Sequence, residues 1–256
     1  MRILLTNDDG IHADGIKSLE KIARTFSDDI WIVAPETDNS GASHSLTLSD
    51  PLRIREVSDR HYAVQGTPTD CVIMALRHIM KDERPDLVLS GVNRGHNIAD
   101  DVTYSGTVAG AIEGSLLGIR SIALSQAYGF ETNRSGIHWS TAEAYGPKVL
   151  KTLLDWDVPA STIMNVNLPD CAPDRVIGTR LTRQGKRDQD TLKVDERVDA
   201  RGRAYFWLGF QKKDQVLVEG TDLWALSEKY ISVTPLSVDL TDERAFSQYK
   251  SMDFSS

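Results

Sequence analysis

Strand, helix and strand follow one another within the first 34 residues, and that unit limits the folds open to this chain. Residues 2–6 contain Ile3-Leu4-Leu5, an apolar run too short for a helix and without the alternation of a half-exposed strand. Such runs belong to parallel sheets covered on both faces. Asp14 is placed to cap a helix whose Ile16, Leu19, Ile22, Ala23 and Phe26 fall on one side at helical spacing. Ile30-Trp31-Ile32-Val33-Ala34 is a second buried run, closed by Pro35. A βαβ unit makes its two strands parallel neighbours.

The alternation continues. Residues 52–57 and 61–65 read as a hairpin. In Gly66-Thr67-Pro68-Thr69-Asp70, Thr67 suits an N-cap, Pro68 the first helical position and Asp70 the third, a capping box. Residues 86–90, 121–125 and 162–168 read as further buried strands, and helices open at Ser105-Gly106-Thr107 and near Trp139. Repetition over about 165 residues predicts an α/β fold with a doubly wound, mostly parallel sheet.

After Pro173 the pattern changes. Residues 183–203 are dense in Arg, Lys, Asp and Gln. They read as a projecting β-hairpin arm or as a disordered charged loop. Tyr205, Phe206, Trp207, Leu208 and Phe210 require burial, which favours the arm and suits an element exchanged between subunits. The expected organisation is a single domain over 1–256, with a catalytic core in 1–170 and an arm and oligomerisation region in 171–256. Residues after 235 read as a polar tail.

Composition excludes several classes. With 256 residues, 40% of them hydrophobic and 26% charged, the chain can bury a sizeable core. A formal net charge of −8 argues against a nucleic-acid polymer as partner. The two cysteines, Cys71 and Cys171, have no metal or redox spacing. No apolar run approaches ~18 residues, so no membrane span is expected. The first apolar run stops at Thr6 and meets two aspartates, so no signal peptide is expected either, and the cytoplasm is the expected compartment.

The chemistry is concentrated where strands end. Asn7-Asp8-Asp9-Gly10 follows the first strand. Taken alone it reads as a turn or as a metal site, because adjacent carboxylates in a partly dry place call for a positive partner. Ser40 lies past the second strand and Asn93 past the strand at 86–90. Ligands of open α/β sheets bind outside the carboxyl ends of strands, so these residues can converge. Two carboxylates, a hydroxyl and an amide oxygen suit Mg²⁺, Mn²⁺ or Ca²⁺ rather than zinc. Ser105-Gly106-Thr107 adds backbone N–H groups at a helix start, where phosphate binds. A metal beside a phosphate cradle means phosphoryl chemistry. A Walker A loop and a dinucleotide GxGxxG after the first strand are absent, and the second aspartate of a haloacid-dehalogenase phosphatase is missing. His12, His44 and His96 read as hydrogen-bonding or substrate-lining groups.

Asn7-Asp8-Asp9-Gly10, Ser40-Gly41-Ala42-Ser43, Gly66-Thr67-Pro68-Thr69-Asp70-Cys71, Ser90-Gly91-Val92-Asn93-Arg94-Gly95-His96-Asn97, Tyr104-Ser105-Gly106-Thr107 and Val233-Thr234-Pro235-Leu236 together resemble the SurE family of metal-dependent 5′/3′-nucleotidases, in order and over nearly the whole chain. Asp14 departs from the pattern, where the family often has proline. The resemblance implies a Rossmann-like core, a C-terminal swapped arm, and a homodimer or homotetramer. It implies Asp8, Asp9, Ser40 and Asn93 as ligands of one Mg²⁺ or Mn²⁺ per subunit. Implied substrates are nucleoside monophosphates and, for some members, short polyphosphate. The mechanism expected is in-line attack by a metal-activated water. Asn93, Ser105, Gly106, Thr107 and Asn97 would bind the phosphoryl oxygens, and Asp8 or Asp9 would double as general base. A covalent aspartyl-phosphate is the rival route, and a nucleotide-binding regulator without turnover the rival function.

Overall fold

The computed structural model describes residues 1–129, 136–159, 161–187, 192–210 and 216–252. The chain runs β1 (Ile3–Thr6), α1 (Asp14–Ala23), β2 (Ile30–Pro35), β3 (Ile54–Ser58), β4 (His61–Val64), α2 (Pro68–Met74), β5 (Leu87–Arg94), α3 (Gly106–Leu116), β6 (Arg120–Gln126), α4 (Trp139–Leu154), β7 (Thr162–Leu168), β8 (Gly178–Leu181), β9 (Leu192–Val198), β10 (Ala204–Phe210), α5 (Asp222–Ser227), β11 (Tyr230–Ser237) and α6 (Glu243–Tyr249). Among the described residues, one nine-stranded sheet has the order β3-β4-β2-β1-β5-β6-β7-β11-β8. From β4 to β7 all neighbours are parallel. β3 is antiparallel to β4, β11 is antiparallel to β7, and β8 runs parallel to β11. The expected doubly wound α/β architecture is therefore present.

The apolar runs are buried because both sheet faces are covered. Ile3, Leu4 and Leu5 are fully buried, at about 2 kcal/mol each. Ile3 and Leu5 pack with Ile16, Leu19 and Ile22 of α1 and Leu150 and Leu153 of α4. Leu4 points the other way, into a core with Val33, Val88 and the α2 residues Cys71 and Val72. From β1 the chain moves to β2 on one side and later to β5 on the other. The crevice at the carboxyl ends of β1 and β5 is thus the switch point where ligands bind in such sheets.

The capping box forms as the sequence predicts: Asp70 N–H donates to Thr67 Oγ1 at 3.2 Å, and Thr67 N–H to Asp70 Oδ2 at 2.9 Å. Other boundaries differ from expectation. Ala13, not Asp14, is the N-cap of α1, and Asp14 opens the first turn instead. β5 continues to Arg94, so Asn93 lies within a strand rather than beyond it. β11 passes through Pro235 to Ser237, opposite β7. The tail contains α6, capped by Asp242. Of the charged stretch 183–203, residues 188–191 lie outside the described residues; from Leu192 on it is not a disordered loop but pairs with Ala204–Phe210 as an antiparallel β-hairpin. Its Tyr205, Phe206, Trp207 and Leu208 are 42–73% exposed within this single chain.

Candidate active site

Asp8 and Asp9 leave β1 in a tight turn. Asn7 Nδ2 donates to the Gly10 carbonyl at 2.9 Å, and Gly10 has φ +101°, a conformation L side chains rarely adopt. Asp8 is 5% exposed, and its Oδ1 accepts the Thr107 hydroxyl at 2.5 Å. A Cβ on Gly106 would stand 2.8 Å from Asp8 Cβ, so only glycine lets the start of α3 abut this carboxylate. Burial pushes the Asp8 carboxyl up to about 6; the Thr107 bond opposes this, and the charges of Asp9 and Asp38 add to it. Asp9 is also raised, mainly by burial, although the Arg94 N–H donates to its Oδ2 at 3.0 Å.

Asn93 reaches the same crevice because β5 is irregular there. Its register against β6 shifts between Ser90 and Asn93, and such irregularities re-aim side chains. Gly91 permits the close approach: a Cβ would meet the Leu124 carbonyl oxygen at 2.2 Å. Asn93 Nδ2 donates to the Gly95 carbonyl at 3.0 Å, leaving the carboxamide oxygen as the end available to a cation. Ser40 is engaged with a different carboxylate, Asp38. It is exposed, and its hydroxyl donates to Asp38 Oδ1 at 2.6 Å. Its loop is nevertheless tied to the site, since Asn39 N–H donates to the Asp8 carbonyl at 2.8 Å.

The start of α3 is built to expose donors. Ser105 is its N-cap, and Ser105 Oγ accepts the Val108 N–H at 3.0 Å. The N–H groups of Gly106 and Thr107 belong to the first turn, where helix geometry supplies no acceptor. They stand beside Asp8, at the positive end of the helix dipole.

Asn97 is held differently from the other predicted residues. Its N–H donates to Asn167 Oδ1 at 2.7 Å, and its Nδ2 to Ser125 Oγ at 2.9 Å. Its carbonyl accepts from Asn165 Nδ2 at 2.8 Å and Asn167 Nδ2 at 3.1 Å. The sequence reading missed Asn165, Asn167 and Ser125. The available signal was Asn165-Val166-Asn167, two amides at alternate positions of an otherwise apolar buried strand. It also missed Asp222 and Arg187. Buried Asp222 accepts the N–H groups of Ala99 and Gly185, and the Arg187 guanidinium donates to Asp101 Oδ2 and His96 Nε2. The stretch 96–101 is therefore fixed from β7, from Asp222 of α5 and from Arg187.

The residues fit a hard divalent cation. Among the described residues neither Asp8 nor Asp9 forms an ion pair, yet both are raised by burial. No group of three or more His, Cys, Asp or Glu among the described residues could hold a metal, so a cation here would rely on two carboxylates and neutral oxygens. That donor set is all oxygen, the chemistry of Mg²⁺ or Mn²⁺.

The comparisons agree with this architecture. The family described as Survival protein SurE matches residues 3–191. A 5′-nucleotidase SurE of Rhodopseudomonas palustris (strain HaA2) is 61% identical over 249 residues, covering 96% of this chain and 97% of that protein. One from Methylorubrum extorquens (strain PA1) is 56% identical over 249 residues, covering 97% and 98%. The crystal structure of the SurE protein from Aquifex aeolicus superposes with a TM-score of 0.83 at 39% identity, covering 98% of both chains. With this fold, this site and these relatives, the chain belongs to the Survival protein SurE family.

Proposed function

We propose that this protein is a 5′-nucleotidase, a metal-dependent phosphomonoesterase that hydrolyses nucleoside 5′- and 3′-monophosphates to nucleoside and phosphate. The observation that carries this reading is the meeting of Asp8 with the donor end of α3 at the switch point, 2.5 Å from the Thr107 hydroxyl. A cation site and an anion site sharing one crevice suit a phosphate ester. Curated relatives at about 60% identity bear the name 5′-nucleotidase SurE.

Asp8, Asp9 and Asn93 would hold Mg²⁺ or Mn²⁺, one per subunit, with Ser40 joining from its loop once released from Asp38. Such an ion supplies Lewis-acid polarisation of the phosphoryl group and of an attacking water. The N–H groups of Gly106 and Thr107 bind non-bridging phosphoryl oxygens and favour the charge that grows there. The Ser105 hydroxyl proton is free to join them, since its oxygen serves as the cap acceptor. Asn97 spends one amide N–H on Ser125 and keeps a second for the phosphoryl group. The proton leaving the water goes to Asp8 or Asp9.

The reading extends to a cytoplasmic homodimer or homotetramer formed by arm exchange, with 1–170 as core and 171–256 as arm and oligomerisation region of one domain 1–256. The exposed aromatic side of the hairpin supports the exchange. Short polyphosphate is a further substrate class. No helix among the described residues is long and apolar enough to cross a membrane.

The test is phosphate release from AMP with Mn²⁺ or Mg²⁺. Turnover stopped by EDTA and absent from Asp9→Ala supports the reading; turnover retained by Asp9→Ala removes the site assignment. Label from ¹⁸O-water recovered in an enzyme carboxylate would replace direct water attack with an aspartyl-phosphate.

A further inference from the structure

One exposed aromatic side chain beside the crevice has no part in the chemistry above. Tyr128, just past β6, is 43% exposed. A Cβ on Gly95 would stand 3.5 Å from Tyr128 Cε1 and 3.7 Å from Asn93 Nδ2. The ring and the cation-site amide therefore flank the same point. The Arg94 guanidinium lies 5.5 Å from the centre of the Tyr128 ring. Arg94 is joined to the site through its own N–H, which donates to Asp9 Oδ2 at 3.0 Å. Thus one residue, Arg94, reads Asp9 with its backbone and props the Tyr128 ring with its side chain.

A half-exposed tyrosine beside a polar site needs a reason, because a hydrogen-bonding loop residue would serve the turn as well. The guanidinium sits over the ring and restrains it by cation–π attraction. What remains open is a flat π surface bordered by a cation. That surface suits a planar, electron-rich heteroaromatic ring, which stacks on an aromatic side chain whatever its hydrogen-bonding edge. A phosphate ester with a simple alkyl group would gain nothing there.

We infer that Tyr128, braced by Arg94, is the platform on which the nucleobase of a nucleoside monophosphate stacks while its phosphate lies at the α3 end of the crevice. The ribose bridges the two. This subsite rests on the nucleotidase reading and adds base recognition to it. Stacking accepts any base because every base has a π face. The platform therefore selects nucleotides over other phosphate esters rather than one nucleotide over another.

The experiment is calorimetric titration of the full-length protein, with turnover stopped by EDTA and with Mg²⁺ kept for the phosphate-release arm, using AMP and ribose 5-phosphate, which shares the phosphate and sugar but lacks the base. Wild type, Tyr128→Ala and Tyr128→Phe are compared, with phosphate release followed alongside. The ratio of AMP to ribose 5-phosphate affinity falls about ten-fold in Tyr128→Ala and is kept in Tyr128→Phe. An unchanged ratio in Tyr128→Ala overturns the platform, as does an equal loss for both ligands. Wild-type protein that binds no AMP overturns it too. Wild-type protein that binds AMP without releasing phosphate overturns the nucleotidase reading alone, and the affinity ratio then still judges the platform.

Discussion

Thr107 donates its hydroxyl to Asp8 Oδ1 at 2.5 Å across 99 residues of chain. That bond joins the turn after β1 to the first turn of α3. It also works on the carboxyl's acidity. Burial raises Asp8, and Thr107 is the strongest influence in the opposite direction. Thr107→Val keeps the shape and removes the donor, so a proton competes better with a cation for Asp8. Mn²⁺ affinity should fall about ten-fold, as for other partners of metal ligands. Thr107→Ser should retain most of it. Calorimetry at neutral pH measures both, and a Thr107→Val affinity equal to wild type would refute the coupling.

Chelation should lower thermal stability. The two raised carboxylates destabilise the metal-free protein, and a cation bound only by the folded state stabilises it. At a metal concentration 100-fold above Kd the gain is about 2.7 kcal/mol. For a chain this long that is a Tm difference of about 5–10 °C. Asp9→Ala should show little response to EDTA. Equal Tm values for wild type with Mn²⁺ and with EDTA would contradict the donor set.

Asn167 holds Asn97 at two points, accepting its N–H and donating to its carbonyl. Asn165 contributes one bond to the same carbonyl. Asn167→Ala should therefore lower kcat about ten-fold or more, and Asn165→Ala less, because small displacements of a donor are costly. KM and Mn²⁺ affinity should hold. If kcat is intact below the Tm of each variant, the asparagines serve stability alone.

His96 gives a pH dependence with a definite sign. Burial, reinforced by the Arg187 guanidinium, holds its imidazole down at about 4. Arg187 can only donate, so His96 Nε2 is the acceptor and the folded ring is neutral. The unfolded chain takes up this proton near pH 6.5 and the folded chain only near 4. Between those values the unfolded state binds more protons, so stability is lost as pH falls from 6.5 towards 4. The change is about 3 kcal/mol over the whole window. Urea unfolding in EDTA at pH 7 and pH 5 should show a smaller difference in His96→Gln, whose amide oxygen can still accept from Arg187. Identical pH slopes would exclude His96 as the source.

The fold was legible because its rules are local. Unbroken apolar runs of strand length must be buried on both faces, and Ile3, Leu4 and Leu5 are. The Thr67–Asp70 capping box closes within four residues, so reading it needed no tertiary contact. That Asp8 and Asp9 follow a strand and Ser105 to Thr107 open a helix was legible, because strand ends and helix starts follow local rules. The boundaries that went astray depend on partners. Pro235 sits inside β11 because β7 pairs with that strand, and β5 runs on to Arg94 because β6 continues beside it.

Only the tertiary structure decided how the site is held. Nothing local says that Thr107 faces Asp8, that Asn165 and Asn167 clamp Asn97, or that Arg94 braces Tyr128 over Gly95. It also gave the Ser40 hydroxyl a partner in Asp38, whose charge acts on both Asp8 and Asp9. Burial and charge proximity shift a carboxyl, as at Asp8, and both are properties of the packed chain. The sequence by itself determined the layers and the residue types available at the strand ends. Sheet order, which brings β1 beside β5, determined which of them meet.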